Sequence, residues 1–128
     1  MIKDGKLKWK NQFYEIQNDA FEAIKALKQG KWVARFEFGE SMMPLLKNGE
    51  YAVLEPYKEG IVEQGDAVFC QVNGYIMTHM VLMISKIQDK PMYLIGGPDL
   101  SIYGWTDTVF AKAHSTNIIE KREVYGEE

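Results

Sequence analysis

Ser41 and His79 are the two residues whose types could act together as a nucleophile and its base. A serine hydroxyl is a weak nucleophile at neutral pH, so it needs a positioned base to remove its proton. Histidine suits that role, because its ordinary pKa of about 6.5 leaves the imidazole mostly neutral at pH 7. The pair predicts chemistry only if the fold brings the two side chains together.

Ser41 lies in the segment Gly39-Glu40-Ser41-Met42-Met43-Pro44, which follows a strand-like stretch. Gly39 lets the backbone bend, and Pro44 suits the start of a short helical turn. Backbone N–H groups of such a turn could stabilise an oxyanion. The candidate loop residues are Gly39, Glu40 and Met42, and the candidates for an adjoining substrate cleft are Met43, Pro44 and Met77. On these local features alone an ordinary turn is the commoner explanation.

The chain around His79 predicts a β-hairpin. Two strand-like runs, residues 67–72 and 75–87, are separated by Asn73-Gly74, the preferred central pair of a tight hairpin turn. This turn pairs Val72 with Tyr75, Cys70 with Met77, and Val68 with His79. Apolar neighbours should partly desolvate the His79 ring and favour its neutral form. A core histidine with no catalytic role is the alternative.

The order of these motifs resembles that of LexA-like peptidases and type I signal peptidases. Residues 39–44 are similar to the Gly-x-Ser-Met-x-Pro box of that group. Residues 47–53 and 65–68 are similar to its two Gly-Asp-x-Val segments, and the match runs over residues 36–113. The resemblance implies a coiled antiparallel sheet and a serine that attacks a peptide bond.

The resemblance also implies the role of His79, which falls where LexA-like members carry a lysine base and eukaryotic-type signal peptidases carry His-Arg-Val. No lysine occurs in residues 67–84, so the chain is similar to the Ser–His variant. That variant uses an acidic third residue from a Gly-Asp-Asn loop, for which Asp99 is the first candidate and Asp107 the second. Asp99 follows Pro98 and could instead build a turn, and a Ser–His dyad without an acid stays open.

The function expected from this resemblance is peptide-bond hydrolysis by a serine peptidase that needs no metal or cofactor. Its partner would be a protein or peptide. An inactive peptidase-fold module that binds a protein or peptide is the first alternative, and a repressor-related fragment is the second. We expect no autocleavage, because the Ala-Gly and Cys-Gly dipeptides that LexA-like repressors cut do not occur in the chain.

Composition narrows these functions further. The net charge is −3 and the pI about 5.5, which disfavours nucleic acid as the main partner. No apolar run approaches the roughly 18 residues of a membrane span, so we expect neither a membrane anchor nor a secretion signal. A cytoplasmic protein similar to small prophage proteins is expected, and a homodimer is left open. Cys70 could pair with His79, but a small buried core residue is the commoner state.

The elements that must position the site predict a mainly β fold with one N-terminal helix. The helix is predicted over residues 18–28, with Asn18 or Asp19 as its cap and an apolar stripe of Phe21, Ile24 and Leu27. Strands are predicted over residues 31–38, 51–55, 67–72, 75–87, 92–95 and 108–113, and residues 96–107 are predicted as a loop. The chain is interpreted as one domain, with a helical extension over 1–30, a β domain over 31–119 and a charged tail over 120–128.

Overall fold

The computed structural model describes residues 1–37 and 42–119. These residues form one helix, α1, and ten strands. The strands are β1 (Ile2–Lys3), β2 (Lys6–Trp9), β3 (Gln12–Ile16), β4 (Val33–Glu37), β5 (Glu50–Pro56), β6 (Ala67–Val72), β7 (Tyr75–Ile87), β8 (Lys90–Gly96), β9 (Ile102–Thr106) and β10 (Val109–Ile119), and α1 spans Ala20–Lys28. The prediction of a mainly β fold with one helix is confirmed.

The strands form a single sheet in the order β1-β2-β3-β4-β5-β10-β6-β7-β8-β9. Neighbouring strands are antiparallel except for β3 and β4, which are parallel. Parallel neighbours need a crossover connection, and α1 provides it. The sheet is therefore mixed but mostly antiparallel, in line with the antiparallel sheet expected from the sequence.

Helix α1 begins as predicted but buries a different stripe. The Asp19 carboxylate caps the helix by accepting a hydrogen bond from the Glu22 backbone N–H at 3.0 Å. Ala23 and Leu27 are buried, whereas Phe21 is 74% exposed. The prediction that Phe21 faces the core is wrong, because small alanines allow the helix to approach the sheet closely. Among the described residues no helix is long and apolar enough to span a bilayer.

The first sixteen residues form strands β1 to β3 instead of part of a helical extension. Leu7 is fully buried in a cluster with Ala34 and Val53, so β2 packs on the face of β4 and β5 that points away from α1. β4 is buried on both of its faces, because Val33 and Ala34 are both buried although they point to opposite sides of the strand. Val33 packs on the helix side of the sheet, in the core that contains Leu27.

The β6–β7 hairpin has the predicted register. Val72 pairs with Tyr75, Cys70 with Met77, and Val68 with His79. Asn73 and Gly74 both adopt positive φ angles, as the turn requires. β9 holds the tip of this hairpin, because the Asn73 side-chain amide donates a hydrogen bond to the Tyr103 carbonyl at 3.1 Å.

The prediction of a loop over residues 96–107 is wrong for its second half. A turn follows Gly96, in which the Leu100 N–H donates to the Gly97 carbonyl. The chain then forms β9, which pairs with β8 and packs over the β6–β7 hairpin. Gly104 lies within β9 with a φ of +145°, and a Cβ at this position would stand 3.0 Å from the Asn73 side-chain nitrogen.

Candidate functional site

A cavity of about 230 Å³ lies between β4, β6, β7 and the loop that precedes β5. Glu37 and Met42, the described residues on either side of positions 38–41, both line this cavity. His79 lines it as well. The cavity thus borders both flanks of the serine segment and the predicted base. Its other lining residues are Arg35, Phe36, Leu46, Lys47, Phe69, Ile76, Met77 and Thr78.

Ser41, Gly39 and Glu40 lie outside the described residues. The contact between Ser41 and His79 and the oxyanion role of Gly39 and Glu40 therefore stay predictions.

Met42 anchors the part of the chain that follows Ser41. Its side chain is 5% exposed and belongs to the core on the helix side of the sheet. Its carbonyl accepts a hydrogen bond from the Leu46 N–H at 3.0 Å, which closes one turn of the loop. Met43 and Pro44 are exposed and are not among the residues that line the cavity, whereas Met77 is. Of the three predicted cleft residues, Met77 alone borders this cavity.

His79 lies on β7 opposite Val68, and its side chain is partly buried. Its ring packs against the Tyr103 ring of β9, with centroids 4.5 Å apart. Burial lowers the pKa of His79 from its ordinary value of 6.5, because the interior disfavours the charged imidazolium. The imidazole is therefore neutral at pH 7, as a general base must be.

Thr78 points to the opposite face of β7 from His79, since side chains alternate along a strand. Its hydroxyl donates a hydrogen bond to Glu37 Oε2 at 3.0 Å. Glu37 is the last residue of β4 and stands four positions before Ser41. This bond ties the strand that leads into the serine segment to the strand that carries His79.

The pKa of the Glu37 carboxyl lies well above its ordinary value of 4.5. Burial raises its pKa to about 7, against the opposing effects of the Arg35 charge and the Thr78 hydrogen bond, and the Glu50 charge raises the pKa further. Arg35 Nε lies 3.8 Å from Glu37 Oε2. The same guanidinium donates to the Asn18 carbonyl at 2.7 Å. Arg35 is thus shared between two acceptors and does not fully compensate the buried carboxyl.

Glu50 connects the turn before β5 to β10. Its side chain is fully buried. Glu50 Oε1 accepts a hydrogen bond from the Lys47 N–H at 2.5 Å, and Oε2 accepts from the Ser115 hydroxyl at 2.5 Å and the Asn117 N–H at 2.8 Å. The carboxylate therefore joins the turn before β5 to an irregular stretch of β10.

Asp99 lies in the turn between β8 and β9 and is exposed. Its Oδ1 accepts hydrogen bonds from the Ser101 N–H at 3.0 Å and the Ser101 hydroxyl at 2.7 Å. These bonds lower the pKa of Asp99. Asp107 similarly accepts a bond from the Thr108 hydroxyl at 2.9 Å. These contacts build turns, and a part for either aspartate in orienting His79 stays a prediction.

Cys70 is a buried core residue, as the commoner interpretation of the sequence predicted. Burial raises the pKa of its thiol to about 12, so the thiolate that a cysteine nucleophile needs is scarce at neutral pH. In the described parts of the chain, no group of three or more His, Cys, Asp or Glu side chains is arranged to hold a metal ion.

The polar wall of the cavity, formed by Arg35, Glu37 and Thr78, was not predicted from the sequence. Two features of the sequence could have indicated these residues. Alternation along β4 places Arg35 and Glu37 on one face, and the hairpin register that places His79 opposite Val68 places Thr78 opposite Phe69. The sequence does not reveal that the curvature of the sheet brings Glu37 of β4 within hydrogen-bond distance of Thr78 of β7, although three strands separate β4 from β7 in the sheet.

No known family model matches this chain, and no curated protein is significantly similar to it. The likeness to LexA-like and signal peptidases therefore rests on the order and spacing of the motifs.

Proposed function

We propose that this protein is a serine peptidase in which Ser41 attacks a peptide carbonyl and His79 accepts the serine proton. The observation that carries the proposal is the single cavity bordered by Glu37, Met42 and His79. A segment anchored at both of its ends beside this cavity can present Ser41 to a peptide held there.

The chemistry follows the ordinary course of acyl transfer. His79 takes the Ser41 proton as Oγ attacks the carbonyl carbon, and then gives that proton to the leaving amine. A water molecule, deprotonated by His79, next attacks the acyl-serine, and His79 returns this proton to Ser41 Oγ as the carboxylic acid product leaves. Backbone N–H groups of the serine loop are the proposed oxyanion donors, because Gly39 has no side chain to donate from.

The partial burial of His79 supports its part in this scheme. Its lowered pKa keeps the imidazole neutral and able to accept a proton at pH 7. The ring contact with Tyr103 limits its orientations, and a restricted base loses less entropy on reaching the reactive geometry.

A peptide substrate is proposed to bind in an extended conformation, because main-chain hydrogen bonds to a sheet hold a peptide in a defined register. One of its side chains would enter the cavity that His79 borders, so that the scissile bond lies next to His79.

A binding module without catalysis is the second candidate. It is favoured by the packing of His79 against Tyr103, which also suits a core histidine. Such a module would keep the cavity and bind a peptide without cutting it.

Labelling with a fluorophosphonate separates the two candidates. The peptidase predicts one adduct per chain between pH 7 and 9, located on Ser41 by peptide mapping. Ser41→Ala should abolish the adduct and His79→Ala should slow its formation at least 100-fold. His114→Ala is the matched control, since His114 lies on β10 outside the cavity lining. A folded protein that forms no adduct would be a binding module.

A further inference from the structure

The cavity beside the serine segment combines apolar walls with a buried carboxyl. Met42, Phe69 and Ile76 contribute carbon surface, and Glu37 contributes a carboxyl group to the same lining. A substrate side chain that fits such a site needs an apolar stem to contact the walls and a polar head to reach the acid.

The carboxyl has capacity for a further partner. Its contacts with Thr78 and Arg35 are both made through Oε2. Among the described residues no hydrogen bond to Oε1 accompanies them, so this oxygen can accept one from a ligand. The side chain of Glu37 is only 18% exposed, and a buried carboxylate gains most from a cation or a strong donor placed directly against it.

Arg35 does not remove this capacity. Its guanidinium is held by the Asn18 carbonyl and lies over the Phe69 ring, with the guanidinium carbon 5.0 Å from the ring centroid. Its Nε reaches Glu37 only at 3.8 Å, beyond ordinary hydrogen-bond length. Burial still raises the pKa of Glu37 to about 7 in its presence, so the carboxylate is not fully compensated.

We infer that Glu37 selects the substrate residue on the acyl side of the scissile bond and favours lysine, whose alkyl stem contacts the cavity walls while its ammonium binds Oε1. This inference rests on the proposed function for the reaction that follows binding. The volume of about 230 Å³ accommodates a side chain of this length. A purely apolar side chain would desolvate Glu37 Oε1 and give it no hydrogen-bond donor, which disfavours such a side chain.

Two phosphonate probes test the selection. They are dipeptidyl diphenyl phosphonates that carry either a lysine or a norleucine side chain at the phosphonate position, so they share a stem and differ in the ammonium. At pH 8.5 we expect the lysine probe to modify Ser41 at least ten times faster than the norleucine probe. In Glu37→Gln the ratio should fall below three. Glu55→Gln is the matched control, because Glu55 pairs with His114 away from the cavity, and it should leave the ratio unchanged.

The ratio should also depend on pH in a way that a structural role would not produce. At pH 6 most Glu37 is protonated, so the preference should shrink to less than half its value at pH 8.5. The charged and titratable groups around Glu37 are Arg35, Lys47, Glu50 and His79. Both probes need the same base, so the ratio of their rates cancels the ionisation of His79.

Equal rates for the two probes, faster reaction of the norleucine probe, or an unchanged preference in Glu37→Gln would overturn the inference. If neither probe reacts while a fluorophosphonate still labels Ser41, the inference fails and the proposed function stands. If the fluorophosphonate also leaves Ser41 unlabelled, the peptidase proposal fails and binding decides the inference instead. In Ser41→Ala at pH 8.5, n-butylammonium should shift the Thr78 amide resonance and n-butanol should not. The shift should vanish when Glu37→Gln is added, and a shift that persists, or none at all, would refute selection by Glu37.

Discussion

Replacement of Glu50 by alanine is expected to destabilise the protein severely. The side chain is fully buried and accepts hydrogen bonds from the Lys47 N–H, the Ser115 hydroxyl and the Asn117 N–H. A hydrogen bond to a charged group contributes about 1.5–3 kcal/mol, and a buried donor left without an acceptor costs about as much. The three bonds share one carboxylate and do not add fully, so we expect Glu50→Ala to lower the free energy of unfolding by about 3–5 kcal/mol.

Glu50→Gln should cost less, about 1–2 kcal/mol, for a reason visible in the hydrogen bonds. An amide oxygen in the place of Oε2 keeps the bonds from Ser115 and Asn117. The amide nitrogen in the place of Oε1 faces the Lys47 N–H, which is also a donor. The order of stability should therefore be wild type, then glutamine, then alanine.

Urea denaturation followed by tryptophan fluorescence measures these differences. Glu59→Gln is the matched control, because Glu59 is an exposed carboxylate and its loss should change the free energy of unfolding by less than about 0.5 kcal/mol. The reasoning is refuted if Glu50→Ala lies within about 1 kcal/mol of wild type, or if glutamine is as damaging as alanine.

Three further outcomes are expected. The Cys70 thiol, whose pKa burial raises to about 12, should react with a disulfide reagent at pH 8 only after denaturation; fast reaction of the native protein would contradict its burial. Gly96→Ala should destabilise by at least about 2 kcal/mol, because a Cβ there would overlap the Ser101 carbonyl oxygen and Leu82 Cδ1; an unchanged thermal midpoint would show that this approach is wrong. Because burial raises the pKa of Glu37 to about 7, its protonated form stabilises the fold below pH 4.5, and this contribution is lost as the pH rises through 7. Between pH 4.5 and pH 8, the free energy of unfolding of Glu37→Gln should therefore rise by up to about 3 kcal/mol relative to that of wild type. A difference in urea denaturation that does not change with pH would argue against a buried carboxyl.

The β6–β7 hairpin is the part of the fold that sequence predicts best. Asn73-Gly74 determines a two-residue turn, and a two-residue turn determines every pair of the ladder, including Val68 with His79. The residues that form the turn therefore also determine which residues pair across the two strands. The cap of α1 at Asp19 is predictable for the same reason, since the side chain satisfies a backbone donor three residues away.

The errors arise where distant segments decide the outcome. Phe21 has the spacing of a core residue, yet the alanines of α1 face the sheet, and nothing in a single helix reveals which stripe its partner accepts. The first sixteen residues lack long apolar runs and alternate between polar and apolar side chains only over residues 6–10, but Leu7 is buried on the face of β4 that points away from α1. Neither packing choice is local.

The polar wall of the candidate site illustrates the same limit. Serine and histidine are identified as candidates because their side chains can act as a nucleophile and a base, whereas Glu37 is expected from the sequence to face solvent on a strand of alternating polar and apolar residues. Its burial and its bond to Thr78 depend on where β4 meets β7. Motif spacing can therefore nominate Ser41 and His79, but the residues that shape the cavity around them become visible only in three dimensions.

The most direct test of a Ser41–His79 pair is the pH dependence of fluorophosphonate labelling beside the titration of His79 in the same protein. Burial places the pKa of His79 below 6.5, so its ring resonances should titrate with a midpoint below that value. The rate of Ser41 modification should rise with the same midpoint and lose this dependence in His79→Ala. A labelling rate that ignores this midpoint, or a Ser41 that stays unmodified while His79 titrates normally, would contradict the Ser–His site.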